Sequence, residues 1–173
     1  NIPWKSTRAI AIPHGVRSFK VYDSGGKDDY YRIKSDGYLE LTAPEGYKLQ
    51  LSGTILLENE CDLLTVFDSD KDSYKLIDKI SSEYIDGEIV KIKLDTVTSS
   101  GRSMTLYFTT DESVNYDGLD LTVTLIPDEG LAHTIVINNT TGGRVTYNGE
   151  NVTKDHNVSL NFEVDENYVL SDI

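Results

Sequence analysis

Apolar and polar residues alternate with a period of two along most of this chain, and this feature constrains the fold more than any other. The alternation is clearest at residues 104–108 and 119–126, and it recurs at 18–22, 38–42, 47–51 and 89–94. Successive side chains of a β-strand point to opposite faces, so this period is typical of strands with one buried face. Short alternating runs separated by Gly, Asp and Ser clusters favour a sandwich or barrel. We therefore predict an all-β chain.

One segment, residues 73–82, has some helical character. It lacks a clear N-cap and a long apolar stripe, the two features that usually accompany a stable amphipathic helix. It is the only helix candidate in the sequence.

A domain boundary is predicted at 127/128, where Pro127-Asp128-Glu129-Gly130 interrupts the alternation. Residues 1–127 are predicted to form a β-sandwich, with 1–16 as a leading segment or first strand. Residues 128–173 are predicted to form a second, small β-rich module, which the end of the chain could cut short. Its expected strands lie at 133–138, 145–147 and 158–164, and Asn148-Gly149 is typical of a tight type I′ turn. The alternative is that these strands belong to one larger sandwich.

Charge and hydropathy exclude two classes of function. The chain has 29 Asp and Glu against 16 Lys and Arg, a net charge of −13, which would repel a nucleic-acid backbone. No apolar run approaches the roughly 20 residues of a membrane-spanning helix. Cys61 is the one cysteine, so no intrachain disulfide can form, and we expect a half-buried thiol without a catalytic role.

Catalysis is not expected. The sequence contains no His-Glu-x-x-His zinc motif, no Gly-x-Ser-x-Gly elbow and no Gly-rich phosphate loop before a helix. The sequence alone does not exclude a pair of catalytic carboxylates of the glycosidase type, since acidic residues are so frequent. A short all-β chain leaves little room for a cleft, so we predict that it is not an enzyme.

Residues 17–127 resemble a CUB domain of the disulfide-free type found in large surface or secreted proteins of gut and oral bacteria. Five segments in order carry this resemblance: FKVYDSGG (19–26), GYLELTAPEGY (37–47), CDLLTVFD (61–68), TSSGRSMTLYF (98–108), and DES (111–113) followed by GL (118–119). The resemblance implies a CUB-like antiparallel β-sandwich of the jelly-roll type. Residues 132–173 resemble the start of an internalin-type B-repeat. Animal CUB domains carry four cysteines in two bridges, which this chain lacks.

The resemblance to CUB domains also implies a Ca²⁺ site at one end of the sandwich. The residues that match the family pattern are Glu58, Asp62, Asp111 and Ser113. Carboxylate and other oxygens are the ligands that Ca²⁺ prefers, and converging carboxylates without a cation would raise each other's pKa. The Glu58–Asp62 spacing is shorter than is usual in the family, so Glu60 is an alternative to Glu58. The competing interpretation is a set of solvated loop acids.

A second acidic run begins at Asp68. Its Asp-x-Asp-x-Asp spacing is that of an EF-hand loop, but Ser73 replaces the required Gly and Lys79 replaces the bidentate Glu. We interpret this run as an exposed acidic hairpin loop.

The predicted function is that of a non-catalytic interaction or adhesion module in a larger exported bacterial protein, secreted or at the cell surface. End loops ordered by Ca²⁺ would bind an extracellular protein or a glycan, with Glu60, Tyr116, Tyr30 and Tyr31 as candidate ligand-binding residues. Tyr suits such positions because it has an apolar body and a polar tip. The alternatives are a structural spacer and an ancillary domain of a secreted peptidase or glycosidase.

Overall fold

The computed structural model describes residues 1–68, 75–128, 137, 141–147 and 159–169. The chain divides into two compact units, Asn1–Pro127 and Asp128–Ile173. Within the described residues every regular element is a β-strand, so this part of the chain offers no helix capable of crossing a bilayer. Which kind of module the second unit forms stays a prediction.

The strands of the described residues are, in chain order, β1 (Thr7–Ala11), β2 (Ser18–Val21), β3 (Asp36–Thr42), β4 (Tyr47–Leu56), β5 (Leu63–Phe67), β6 (Leu76–Ile80), β7 (Glu83–Ile85), β8 (Glu88–Val90), β9 (Ile92–Lys93), β10 (Val97–Thr98), β11 (Ser103–Thr109), β12 (Gly118–Pro127), β13 (Gly143–Tyr147) and β14 (Leu160–Val164).

Two five-stranded sheets form the sandwich of the first unit. One has the strand order β1-β3-β11-β5-β6, and the other has the order β10-β4-β12-β2, with β9 also paired to β4. The β1–β3 pair is parallel, whereas the other pairs are antiparallel. Strands β7 and β8 form a separate two-stranded ribbon.

The alternating residues of the sequence build the core of this unit. In β12, Leu119, Leu121, Val123 and Leu125 are buried, and Asp120 between them is exposed. Leu39 and Leu41 of β3 are buried in the same way. Each such side chain contributes roughly 1.5–3 kcal/mol when fully buried, so the sandwich rests on the apolar inner faces of its strands.

The described part of the segment with helical character, residues 75–82, is not helical. Residues 76–80 form β6, which pairs with β5 through a register shift between Val66 and Phe67. Pairing to an existing sheet edge provides the backbone hydrogen bonds that an uncapped helix would have lacked. The acidic run that begins at Asp68 otherwise lies outside the described residues.

In the second unit, β13 and β14 pair antiparallel, with Tyr147 opposite Leu160. The predicted strand at 133–138 and the Asn148-Gly149 turn fall outside the described residues, apart from Ile137.

Candidate functional site

The predicted metal residues lie on two loops at one end of the first unit. Glu58 follows β4, Asp62 directly precedes β5, and Asp111 follows β11. Strands β5 and β11 are antiparallel neighbours with Leu63 opposite Thr109. This register brings the start of β5 and the end of β11 together, which is why Asp62 and Asp111 meet.

Asp62 is a buried carboxylate that connects three segments of chain. Its Oδ2 accepts a hydrogen bond from the Tyr31 hydroxyl at 2.5 Å, and its Oδ1 accepts one from the Asp111 backbone N–H at 2.9 Å. The Tyr31 oxygen in turn accepts a 3.1 Å bond from the Glu58 backbone N–H. Asp62 therefore fixes the loop that carries Asp111, with both of its carboxylate oxygens hydrogen-bonded.

Ser113 lies beside Asp111 through a local turn. The Ser113 backbone N–H donates to Oδ1 of Asp111 at 2.8 Å, and its hydroxyl lies 3.4 Å from the same oxygen. These bonds fix the orientation of the Asp111 carboxylate, so Ser113 positions this side chain.

Glu58, Cys61 and Asp111 converge: one potential ligand atom from each lies within 4.8 Å of the other two. Oε2 of Glu58 is buried and has no hydrogen-bond partner among the described residues. Cys61 is exposed, so the expectation of a half-buried thiol was wrong. We name Glu58, Cys61 and Asp111 the acidic cluster. Sequence reasoning missed Cys61 because a lone cysteine carries no motif.

Glu60, the alternative to Glu58, is outside the acidic cluster. It has a left-handed backbone with φ of 61°, and its N–H donates to the Ser81 hydroxyl at 3.2 Å. The same Ser81 hydroxyl donates to the Glu58 carbonyl at 3.0 Å, so both backbones are attached to the segment after β6, but of the two side chains only that of Glu58 converges with Asp111 among the described residues.

Negative charge is concentrated at this end of the first unit. The pKa of Glu58 is raised by desolvation and then by the charges of Asp111 and Asp62. Burial also raises the pKa of Asp62, although the hydrogen bond from Tyr31 opposes this shift. The pKa of Tyr31 is raised by burial and by Asp62, so its hydroxyl stays a proton donor.

A hard divalent cation fits this arrangement. Carboxylate oxygens are the preferred ligands of Ca²⁺, and a cation would provide the partner that Glu58 Oε2 lacks while relieving the repulsion. The Cys61 thiol is a softer donor, which Ca²⁺ does not favour. The carboxylates of Glu58 and Asp111 are therefore the residues that could hold the ion.

The aromatic candidates have different environments. Tyr30 is 61% exposed, but Tyr31 is completely buried, so the interpretation of Tyr31 as an exposed binding residue was wrong. Tyr116 packs partly against the core. Its pKa is raised by burial and then by Tyr84, which is exposed and was not singled out in the sequence. Nothing in the sequence separates Tyr30 from Tyr31, because both lie in the same polar segment.

Comparisons with known proteins show similarity at the level of structure. No family model matches the sequence, and no curated protein matches it. The CUB1-EGF-CUB2 domain of human MASP-1/3 superimposes with a TM-score of 0.52 and 12% identity, over 69% of this chain and 41% of that one. The corresponding domains of rat MASP-1 superimpose with a TM-score of 0.51 and 20% identity, over 69% of this chain and 42% of that one.

A Ca²⁺-bound CUB2 domain of MASP-1 covers 63% of this chain and 93% of its own, at 13% identity and a TM-score of 0.48. This chain spans about two fifths of the length of the human MASP-1/3 and rat MASP-1 structures. The chain has the β-sandwich fold of CUB domains, and the predicted fold class is confirmed.

Proposed function

We propose that this chain is an extracellular, non-catalytic interaction module whose end loops are ordered by Ca²⁺ and bind a protein or glycan partner. The acidic cluster carries the proposal, because Oε2 of Glu58 is buried next to Asp111 and finds no hydrogen-bond partner in the described part of the chain. A carboxylate oxygen that is shielded from water without a partner is costly, and a bound cation removes that cost.

Ca²⁺ would act on loops that the protein has already arranged. Asp62 holds the Asp111 backbone, and Ser113 holds the Asp111 carboxylate. The ion would then bring the charges of Glu58 and Asp111 together without repulsion. Because the loop of Glu58 leads into β5, which pairs with β11, the ion would join the loops at the ends of two neighbouring strands.

The partner surface would lie around the acidic cluster. Tyr84 is exposed, and it influences the pKa of Tyr116, which itself responds to Glu58 and Asp62. An exposed tyrosine and a half-buried one near carboxylates suit a partner that offers a cationic group and an apolar stem, such as a lysine side chain. The resemblance to CUB domains supports the same mode, in which a Ca²⁺-held carboxylate reaches a partner Lys. Glu60 and Tyr30 are further candidate contacts.

Thermal unfolding in EDTA against several millimolar Ca²⁺, with Mg²⁺ as the control ion, tests the proposal. With an affinity on the order of 0.1–1 mM, as in other extracellular modules, Ca²⁺ should add about 1–2 kcal/mol. That corresponds to a few degrees in Tm. Glu58→Gln and Asp111→Asn should abolish the gain, whereas Asp28→Asn, an exposed aspartate outside the cluster, should keep it.

The absence of a Ca²⁺-specific gain in the unmodified protein would contradict the ion site. In that case a spacer that only extends a neighbouring domain becomes the better interpretation of this chain.

A further inference from the structure

The first unit carries a cationic cleft on an otherwise acidic chain. The cleft has a volume of about 240 Å³, and its walls include Trp4, Arg8, Ser24 and Arg32. The charged side chains that line it are the two arginines, although the whole chain has a net charge of −13. Charges farther away than about 8 Å are largely screened at physiological salt. The lining therefore carries an excess of positive charge, next to one carboxylate, Asp23, which accepts hydrogen bonds from the Gly25 and Leu119 N–H groups.

Three segments hold the walls of the cleft in place. The segment before β1 is attached at both ends, since the Ile2 N–H donates to the Tyr22 carbonyl at 2.8 Å and the Asp36 N–H donates to the Trp4 carbonyl at 2.8 Å. Arg8 lies on β1, opposite Leu39 of β3. Ser24 lies in the turn after β2, whose Gly25 N–H donates to Oδ1 of Asp23 at 2.7 Å. The cleft is thus built on the sheet framework.

Trp4 organises the positive charge on one side of the cleft. Its indole N–H donates to the Ile33 carbonyl at 3.0 Å, which fixes the ring. The Arg32 guanidinium carbon lies 5.6 Å from the ring centroid, and Nζ of Lys5 lies 4.5 Å from it. Such cation–π contacts hold a guanidinium over the ring face while its N–H groups stay available in the guanidinium plane.

The hydrogen-bonding groups of the cleft are unused. Across the described ranges, the side chains of Arg8 and Arg32 form neither an ion pair nor a hydrogen bond. The Ser24 hydroxyl oxygen is buried and has no hydrogen-bond partner among the described residues. Buried polar atoms are nearly always hydrogen-bonded in folded proteins. The Ser24 oxygen is closed to water, so the groups that can reach a ligand in the cleft are the two guanidinium groups, which have no ion pair or hydrogen bond among the described residues.

We propose that this cleft binds a single acidic sugar unit, one that carries a sulfate or a carboxylate. Guanidinium groups pair with a planar carboxylate, or with two oxygens of a tetrahedral sulfate, through two parallel hydrogen bonds, which Arg8 and Arg32 are free to form. Trp4 supplies an apolar wall. The volume lies below the roughly 300–1,000 Å³ of drug-sized pockets, which suits one ring better than a longer segment.

Trp4 is the single tryptophan of the chain, so its fluorescence reports binding directly. The protein is titrated with a sulfated disaccharide, a uronate disaccharide and a neutral disaccharide of equal size. Inorganic sulfate and a short poly-glutamate peptide are the further probes. We expect the sulfated or the uronate sugar to bind at least tenfold more tightly than the neutral one, with affinity falling as salt rises. The comparison of those two probes identifies the acidic group.

Arginine variants distinguish binding in the cleft from non-specific attraction to positive charge. Arg8→Gln and Arg32→Gln should each weaken binding about tenfold, with thermal melts confirming that they fold. Arg17→Gln is the matched control, because Arg17 is exposed on the same unit but does not line the cleft, and it should bind like the unmodified protein. EDTA should have no effect, which separates this cleft from the acidic cluster.

Four results would overturn the proposal. They are a Trp4 signal that responds to none of the sugars, inorganic sulfate binding as tightly as the sulfated sugar, poly-glutamate binding more tightly than either acidic sugar, and Arg17→Gln weakening binding as much as Arg8→Gln.

Discussion

The Tyr31 hydroxyl donates a 2.5 Å hydrogen bond to Oδ2 of Asp62, and both residues are completely buried. The same hydroxyl accepts from the Glu58 N–H. One phenol oxygen therefore links the start of β5 with the loop after β4, directly beneath the acidic cluster. The site rests on a neutral donor that is inaccessible to solvent.

Tyr31→Phe should destabilise the first unit by about 1–3 kcal/mol, because it leaves Oδ2 of Asp62 and the Glu58 N–H without their partner. Thermal melts should show a loss of several degrees in Tm. Tyr30→Phe is the matched control, since the Tyr30 side chain is exposed, and it should melt like the unmodified protein. Equal Tm values for the two variants would show that the buried bond contributes nothing.

Asp23 should make stability fall as pH rises. Burial raises the pKa of its carboxyl above the ordinary 3.8, despite the backbone hydrogen bonds from Leu119 and Gly25. A raised folded pKa contributes stability that is fully present below the unfolded pKa and is lost as pH rises through the folded pKa. Asp23→Asn removes this dependence, and its amide also places an N–H₂ group against one of the backbone donors.

The stability deficit of Asp23→Asn relative to the unmodified protein should therefore be largest near pH 4 and narrow toward pH 7. Urea unfolding at several pH values measures it. A deficit that stays constant over this range would mean that Asp23 does not titrate differently in the folded and unfolded chains.

Modification of Cys61 should interfere with Ca²⁺ binding. The thiol is exposed and belongs to the acidic cluster with Glu58 and Asp111, so a maleimide adduct would occupy the space of the ion. Labelled protein should lose most of the Ca²⁺-dependent gain in Tm, and Ca²⁺ should slow the labelling reaction. Cys61→Ser is the control, which should keep the Ca²⁺-dependent gain in Tm and should not react with the maleimide. An undiminished gain in labelled protein would separate Cys61 from the ion.

The β7–β8 turn should be sensitive to substitution at Gly87. Asp86 and Gly87 have φ values of 53° and 85°, the two left-handed positions of a type I′ turn. Gly87→Ala should cost about 1 kcal/mol through backbone strain alone, since its Cβ would meet no atom within 4 Å. Gly101→Ala is equally open and is not left-handed, so it should be neutral or slightly stabilising. Amide hydrogen exchange in the ribbon measures the difference, and equal protection in both variants would contradict the strain.

The period-two alternation predicted the central strands well because burial on one face enforces it. Residues 119–126 fall within β12, and their buried positions alternate as expected. The Asp86-Gly87 turn is as strong a hairpin signal as Asn148-Gly149, but β7 before it is only three residues long and exposed, so no alternation marked the first strand of this hairpin. The parallel β1–β3 pair has no local signal, since its partners are brought together only by the closed sandwich.

The candidate site was predictable in part. Glu58 and Asp111 meet because the β5–β11 register brings their loops to one end, and the resemblance to CUB domains had placed both residues there. The roles of Tyr31 and Cys61 depend on which way a side chain points within an irregular loop. Sequence periodicity carries no information about that direction.

The position of β12 has a consequence for how the first unit assembles. This strand is the last of its unit in sequence, yet it lies between β4 and β2 in its sheet, opposite residues from 47–56 and 18–21. During synthesis, the apolar faces of the earlier strands stay exposed until β12 has been made. Folding dominated by such distant pairings is slow, on the scale of milliseconds to seconds, and truncation before residue 118 would leave a chain that aggregates instead of a smaller domain.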